Sequence, residues 1–307
     1  MDFNSLFATF ADNLLPILLL SGAGLLLGKT LHVDSRGLGR VVCYVFSPIL
    51  VFNLLLHIEL NSGEILATMG FATALAAVTG LLALLLGRLM HFERPVLMAI
   101  ILTTAFANTG NYGLPLVSFA FGKEALAFAG LYFVTNSILF NTVGVLIASL
   151  GHMDLRTAAL GLFRVPAVYG VALAAVLNHF QLLLPVPLAR TIDLAASGSI
   201  PLMIVLLGVE LSRVTWSHSV GPIGLSVALR LVAGPALGLA LAALFGFHGA
   251  ARQGSVTESA MPAAVTNTIL ATEYGLDSSL VTAMVYVGTL LSPLTLTPLL
   301  VYLARYP

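Results

Sequence analysis

Long apolar runs, separated by short links that hold most of the charged residues, dominate the chain. The runs are continuous rather than alternating, which indicates helices and not the strands of a membrane barrel. Since about 20 mainly apolar residues cross roughly 30 Å of hydrocarbon, we predict an all-α integral membrane protein with ten transmembrane helices. They cover residues 12–30, 37–56, 65–87, 95–121, 124–150, 160–180, 190–211, 219–246, 254–273 and 278–303.

Two of these helices, the fourth and the ninth, are interrupted by polar and helix-breaking residues. The fourth contains "NTGNYGLPL" at 108–116, and the ninth contains "AMPAAVTNTILATEYG" at 260–275. Proline lacks a backbone N–H, and glycine lowers helix stability by about 1 kcal/mol relative to alanine. Backbone groups freed inside a bilayer cost several kcal/mol each unless protein or a water-filled cavity satisfies them. Each interruption therefore predicts a polar site at mid-membrane depth.

Several landmarks recur when the chain is shifted by about half its length. Because each half has five predicted helices, an odd number, the second half must cross the membrane in the opposite direction. We therefore predict two inverted five-helix repeats, 1–151 and 152–307, in which the fourth and ninth helices are counterparts. The matched landmarks are Pro16 with Pro166, Pro48 with Pro201, "IEL" ending at Leu60 with "VEL" ending at Leu211, and Gly122 with Gly275.

Paired discontinuous helices mark the substrate site of many secondary transporters. The N-terminal ends of half-helices expose N–H groups and a positive dipole end, which suits an anionic ligand. A lone Asn or Thr in a membrane helix often only bonds to a neighbouring helix, but two matched interruptions favour a substrate site. The candidate residues of the first interruption are Asn108, Thr109, Gly110, Asn111, Gly113 and Pro115.

The composition excludes several classes of protein. Hydrophobic residues make up 59% of the chain and charged residues only 8%, whereas soluble domains carry about a quarter charged residues. A net charge of zero argues against a nucleic-acid partner. The sequence has no Walker motif and no metal-ligand spacing of histidines, so we expect no ATP-driven pump, resident metal or cofactor. The single cysteine, Cys43, predicts a small buried apolar filler.

The distribution of Lys and Arg predicts the orientation, since cytoplasmic loops carry the excess of these residues. With the N-terminus outside, eight basic residues fall on the inner side and four on the outer side. We therefore expect both termini to lie outside the cytoplasmic membrane. The inner set is Lys29, Arg36, Arg40, Arg88, Arg94, Arg156, Arg164 and Arg213, and the outer set is Lys123, Arg190, Arg252 and Arg305.

Of the charged residues, we expect Arg230 and Glu258 to be the two that lie inside the membrane. Intramembrane charges cost about 2.5 to 3.5 kcal/mol on insertion scales, so they usually have a functional or pairing reason. Arg230 either extends its side chain to the inner surface or pairs within the membrane. Glu258 either ligates sodium together with freed carbonyls, carries a proton, pairs with Arg230, or lies at the outer interface. The sequence leaves these alternatives open.

Three motifs carry a resemblance to a known family: "NTGNYGLPL" followed by "FAFG", "AMPAAVTNTILATEYG" leading into "VYVGTLLSPLTLTPLL", and "IPLMIVLLGVEL". Over essentially its whole length the chain resembles the auxin efflux carrier family, which includes plant auxin carriers and bacterial carriers of malonate or malate type. The resemblance implies a fold of the sodium/proton antiporter and bile-acid symporter type, in which helices 4 and 9 cross at their breaks. It also implies a dimerising scaffold of helices 1, 2, 6 and 7, and an elevator-like transport domain of helices 3–5 and 8–10.

The resemblance also implies roles for individual residues. Asn108, Thr109, Gly113 and Pro115 would belong to the first crossover strand, and Met261 and Pro262 to the second. Asn267 of the same motif joins the candidate site. Ala263 stands where the plant carriers have glutamine, which argues against auxin itself as the substrate.

These observations predict a secondary transporter that moves small carboxylates across the cytoplasmic membrane by alternating access. Transport would be uncoupled or proton-linked, and the expected partners are the substrate, the lipid bilayer and a second copy of the chain. The principal alternative is a sodium-coupled organic-anion symporter with a sodium site near Glu258. More distant alternatives are a transport-dead sensor and an intramembrane enzyme, for which the sequence supplies no catalytic dyad.

Overall fold

The computed structural model describes residues 3–57, 61–149, 165–213, 217 and 219–307. Regular structure in these ranges is helical apart from one isolated bridge. The helices are α1 Phe3–Thr30, α2 Ser35–His57, α3 Ser62–Leu89, α4 Arg94–Ala105, α5 Thr109–Ala148, α6 Pro166–His179, α7 Val186–Leu211, α8 Val220–Leu244, α9 Gly249–Ser259, α10 Thr266–Glu273 and α11 Ser278–Arg305.

Seven of the described helices are long and apolar enough to cross a membrane, namely α1, α2, α3, α5, α7, α8 and α11. Large apolar side chains such as Leu19, Leu66 and Leu194 stand exposed on the outside of the bundle. Apolar surface in water costs about 25 cal/mol per Å², whereas in contact with lipid it carries no such cost. The prediction of an all-helical, multi-pass membrane protein is therefore confirmed.

Helix α5 contains a sharp change of direction at Gly122. Its 40 residues would extend about 60 Å as a straight helix, about twice the thickness of the hydrocarbon. Gly122 has φ 75° and ψ −162°, a conformation that only glycine adopts without strain, and it separates residues 109–121 from 123–148. Its proposed counterpart Gly275 also has a positive φ, of 71°. The inverted repeat itself stays a prediction.

Backbone-to-backbone contacts join the helices of the predicted scaffold in pairs. A Cβ atom at Gly24 of α1 would overlap the carbonyl of Val205 in α7, and one at Gly208 of α7 would overlap the carbonyl of Ser21. Small residues permit this close crossing of membrane helices. A similar contact lies between α2 and α6, where a Cβ at Gly170 would come 2.6 Å from the carbonyl oxygen of Pro48.

Side chains in the short links cap the starts of several helices. The Asn61 side chain and Glu64 form a capping box at the start of α3, and Asp277 caps α11. Asp34 accepts hydrogen bonds from the backbone N–H groups of Arg36 and Gly37, which hold the pKa of its carboxyl below the usual value. Helix boundaries are thus fixed locally, by side-chain oxygens that satisfy the first N–H groups of each helix.

The structure corrects one prediction and leaves others outside its range. Cys43 lies on α2 as predicted, but its side chain is exposed rather than a buried filler. It faces away from the bundle because the neighbouring Val42 takes the inward position. Leu60 of the repeat landmark, residues 160–164 of the sixth predicted helix, and Arg156 and Arg164 of the orientation count all lie outside the described residues.

Candidate substrate site

The two predicted interruptions meet in the interior of the protein. Helix α4 ends at Ala105 and α5 begins at Thr109, while α9 ends at Ser259 and α10 begins at Thr266. Between them, Ala107 and Ala263 form an antiparallel bridge. The backbone N–H of Asn108 donates to the carbonyl oxygen of Pro262 at 2.8 Å, and that of Ala264 donates to the carbonyl of Phe106 at 3.1 Å.

These contacts explain how the breaks are tolerated away from water. Backbone groups that leave a helix inside a membrane need another partner, and here each strand supplies partners to the other. Ala107 and Ala263 are both 2% exposed, and their small side chains let the strands approach. Pro115 lies in the first turn of the regular α-helical part of α5, which begins at Leu114 after the widened turn Thr109–Gly113, so its missing N–H does no harm. The crossing is therefore a small two-stranded junction inside a helical protein.

Arg230 lies against this junction. It belongs to a widened turn of α8, Leu229–Ala233, and is 2% exposed. Its Nε donates to the carbonyl oxygen of Met261 at 2.7 Å, one terminal nitrogen donates to Thr104 at 2.9 Å, and the other donates to Ser259 at 3.0 Å. The alternative that this side chain extends to the inner surface is wrong, because all three donor groups point to carbonyls at the helix breaks.

Glu258 is fully buried in the last turn of α9. Within the described part of the chain, neither of its carboxyl oxygens has a hydrogen-bond partner. The carboxyl group lies directly over Gly113, where a Cβ atom would overlap it. The alternative of an interfacial position is wrong, since the side chain has no exposed surface. Arg230 interacts with Glu258 electrostatically but directs its hydrogen bonds to backbone carbonyls.

Two buried asparagines carry side-chain atoms that the described residues leave unpartnered. The side-chain nitrogen of Asn108 has no acceptor there, and the side-chain oxygen of Asn267 has no donor. The nitrogen of Asn267 donates to the carbonyl of Phe106 at 3.0 Å. An unpaired amide group costs about 1–3 kcal/mol in a protein interior. These two atoms are therefore candidate contacts for a polar ligand.

Gly110 and Asn111 form the partly exposed side of the junction. The side-chain nitrogen of Asn111 donates to a carboxyl oxygen of Glu210, on α7, at 3.3 Å. Gly110 lies against the ring of Phe133, where a Cβ atom would come within 2.9 Å. Asn111 and Glu210 are thus more accessible than the buried amide of Asn108.

The structure separates the candidate residues into two groups. Thr109 accepts from the side chain of Asn136 at 3.4 Å, and the carbonyls of Met261 and Pro262 are used within the junction. These groups hold the crossing together. The groups with free or partly exposed polar atoms are the side chains of Asn108, Asn111 and Asn267 and the backbone of Gly110.

Sequence reasoning missed two polar residues that contact the site, Asn136 and Glu210. Asn136 donates from α5 to the carbonyl of Ala107 at 3.3 Å as well as to Thr109. Glu210 entered the sequence comparison only as the middle of "VEL". The signal that could have found both is a polar side chain within an otherwise apolar run, which is costly in a membrane and usually has a partner.

Comparisons with known proteins agree with this architecture. The sequence model of the family described as "Membrane transport protein" matches residues 152–300. An uncharacterized transporter of Methanothermobacter thermautotrophicus is 28% identical over 95% of this chain and 97% of its own length. A second uncharacterized transporter, of Methanocaldococcus jannaschii, is 26% identical over 85% of this chain and 87% of its own.

A third relative has a more specific name. It is a putative malonate transporter of Rhizobium meliloti, 29% identical over 66% of this chain and 65% of its own length. The motifs at the junction, the helical membrane architecture and these matches agree with one another, and they support the resemblance to the auxin efflux carrier family, whose membrane transport protein model matches the second half of the chain.

Proposed function

We propose that this membrane transporter carries small organic anions, with the crossed helix breaks as its substrate site. The observation that supports this best is the pair of unpartnered buried amide atoms, on Asn108 and Asn267, beside the junction. Discontinuous helices that cross near mid-membrane are where many secondary transporters bind their substrates. The junction therefore combines the backbone arrangement of a substrate site with side chains that still need a polar partner.

The charge and donor pattern favours an anion. Helix α5 begins at Thr109, so its positive dipole end and first N–H groups lie at the junction. The Asn108 side chain adds a free donor, and the positive charge of Arg230 lies behind the crossing. A carboxylate bound there would accept from Asn108 and from the start of α5. The name of the Rhizobium relative, a putative malonate transporter, suggests small carboxylates as the first compounds to test.

For the transport step we propose an elevator-type movement of one helix group against another. The tightly packed α1, α2, α6 and α7 would form the scaffold and the homodimer interface, and α3–α5 with α8–α11 would carry the site. The contact between Asn111 of α5 and Glu210 of α7 crosses from one group to the other. It would break and reform as the site moves. In this arrangement both termini lie outside the cytoplasmic membrane.

Flux measurements in proteoliposomes test the proposed function. We expect uptake of labelled malonate or a related mono- or dicarboxylate, competed by other carboxylates and reduced in Asn108→Ala. Malonate would be tried first, and a thermal-shift screen of carboxylates would select the others, because a ligand that binds the folded protein stabilises it. Absence of flux with every carboxylate that stabilises the protein would contradict a carrier and favour a sensor.

Separate sodium and pH gradients distinguish the coupling modes. We propose uncoupled or proton-linked transport, and the rival is sodium symport through Glu258, whose carboxyl oxygens are unpartnered. Glu258→Gln would remove proton-driven accumulation in a proton-linked carrier and leave flux intact in an uncoupled one. Glu273→Gln, at an exposed position at the end of α10, is the matched control. Accumulation driven by sodium alone and lost in Glu258→Gln would establish the symporter.

A further inference from the structure

The ends of two helices face each other across the junction. The last carbonyls of a helix have no partner within it, and they carry the negative end of the helix dipole. Thr104 lies in the last turn of α4, and Ser259 and Met261 lie at and just beyond the end of α9. Freed carbonyls and half-helix C-termini of this kind coordinate the coupling cation in transporters with discontinuous helices.

In this protein the carbonyls of those three residues already have a cationic partner. All three accept hydrogen bonds from the guanidinium of Arg230, at 2.7 to 3.0 Å. We propose that Arg230 is a tethered cation that occupies the position of a free coupling ion, so that the junction requires no sodium. This inference rests on the proposed transport function for its consequence, but its structural core can be tested without any transported substrate.

The chemistry of the side chain fits such a role. A guanidinium stays protonated in proteins, so its charge is permanent, and its planar fork presents donors in several fixed directions. Buried charges need both a counter-charge and hydrogen bonds. The negative dipole ends of α4 and α9, whose last carbonyls accept from the guanidinium, supply the counter-charge of Arg230. Its donors at Nε and at both terminal nitrogens are used on carbonyls.

The position of Arg230 on α8 also lets its side chain link the ends of α4 and α9. Its own helix, α8, packs against the end of α9, since a Cβ atom at Gly234 would come 2.8 Å from the carbonyl oxygen of Ser259. The side chain thus links α8 to α4 and to α9 at one point. A free cation would leave with the substrate and couple its own gradient to transport, whereas a tethered cation remains through the whole cycle. The expected result is organic-anion flux that does not depend on sodium.

The test removes the tethered cation and offers a free one. We expect purified Arg230→Ser to melt at a lower temperature than the parent in N-methylglucamine chloride. Low concentrations of guanidinium or sodium chloride should raise its melting temperature by a few degrees in a saturable manner, because a cation that binds only the folded protein stabilises it. The parent should melt at the same temperature in all three salts at equal ionic strength.

The matched control is Arg213→Ser. Arg213 also donates to a backbone carbonyl, that of Val33, but at an exposed position at the end of α7, so its loss should create no saturable cation site. A melting temperature of Arg230→Ser that responds to cations no more than that of Arg213→Ser would overturn the proposal. A saturable stabilisation of the parent by sodium would also overturn the proposal, and this measurement does not require Arg230→Ser to fold.

The two proposals fail in different experiments. If no carboxylate is transported, the proposed function is wrong, while the cation-dependent melting of Arg230→Ser can still support a tethered cation. If carboxylates are transported and a sodium gradient drives their accumulation in the parent, the tethered cation is wrong and the proposed function stands.

Discussion

The two breaks in the helices are alike in sequence but differ in how their polar groups are used. The first, at 106–108, leaves the Asn108 side-chain nitrogen unpartnered among the described residues and continues into the partly exposed Gly110 and Asn111. The second, at 260–265, is buried through Ala264, and its carbonyls are taken by Arg230 and by the first break. On this basis we propose that the first break supplies most of the ligand contacts, while the second mainly supports the first.

The physical reason is how the backbone groups at the helix ends are used, since each break joins the end of one helix to the start of the next. At the first break the chain enters α5, and the N–H groups that begin a helix lack internal partners. The end of α4 at the first break and the end of α9 at the second present carbonyls, which Arg230 satisfies from inside the protein. Among the described residues, the first break thus keeps the unpartnered donor of Asn108, whereas the unpartnered atoms near the second break are the acceptor oxygens of Asn267 and Glu258.

The largest expected effect comes from adding a side-chain atom at Gly113, which packs against Glu258 next to the two breaks. Gly113→Ala places a methyl group where the carboxyl of Glu258 lies, and overpacking of a filled interior typically costs 1–3 kcal/mol. We expect a clear loss of thermal stability together with loss of carboxylate flux.

Gly22→Ala is the control for that substitution. Gly22 lies in α1, and a methyl group added there would have no neighbouring atom within 4 Å, so alanine should be neutral or mildly stabilising. Equal melting temperatures for Gly113→Ala and the parent would show that the two breaks are not in rigid contact.

The next largest effect is expected on substrate affinity in Asn108→Ala, and it distinguishes the role of Asn108 from that of Asn267. Asn108→Ala removes a donor that nothing in the described protein uses, so stability should hold while substrate affinity falls. A loss of about 1–3 kcal/mol for a buried hydrogen bond corresponds to a roughly five- to 150-fold increase in Kd. Ligand-dependent thermal shifts and uptake kinetics measure this change.

Asn267→Ala provides the comparison at the second break. It removes the hydrogen bond to the carbonyl of Phe106, so the protein itself should lose about 1 kcal/mol of stability. If Asn108→Ala is the less stable of the two variants and keeps full affinity, the assignment of ligand-facing and supporting breaks is reversed.

A smaller effect is expected at the contact between α5 and α7. Glu210→Gln keeps the shape of the side chain but removes a negative charge next to the partly exposed Asn111. An anionic substrate should then bind more tightly, by about tenfold or less, since two unit charges about 4 Å apart interact by about 1 kcal/mol in water-like surroundings. Uptake kinetics measure the affinity, and weaker binding in Glu210→Gln would mean that the carboxyl contacts the substrate as an acceptor.

The smallest perturbation tests the orientation of the whole bundle. In a Cys43→Ser background, which removes only an exposed side chain, single cysteines at positions 4 and 305 should both react with an impermeant thiol reagent in intact cells. The expected accessibility follows from the excess of Lys and Arg on the opposite side. If both cysteines react only after lysis, both termini lie inside the cell and the predicted orientation is wrong.

Several features were predictable from the sequence because they depend on local physics. Continuous apolar runs specify membrane helices, and the clusters around Asn108 and Pro262 specify where helices must break, since glycine and proline act on the backbone of their own turn. The positive φ of Gly122 is likewise a local effect, because it depends on the absence of a side chain at that residue. The motifs around these residues also carried the family resemblance, which the comparisons with known transporters support.

The partners of the charged groups were decided only by the tertiary structure. The sequence left Arg230 between the membrane surface and a buried pairing, and it gave no reason to connect Asn111 with Glu210, 99 positions away. Whether a buried charge is tolerated depends on carbonyls and carboxylates supplied by distant segments, which no local pattern encodes. Continuous apolar runs therefore determined the helices, while the crossing of two breaks determined which polar groups are satisfied and which stay unpartnered among the described residues.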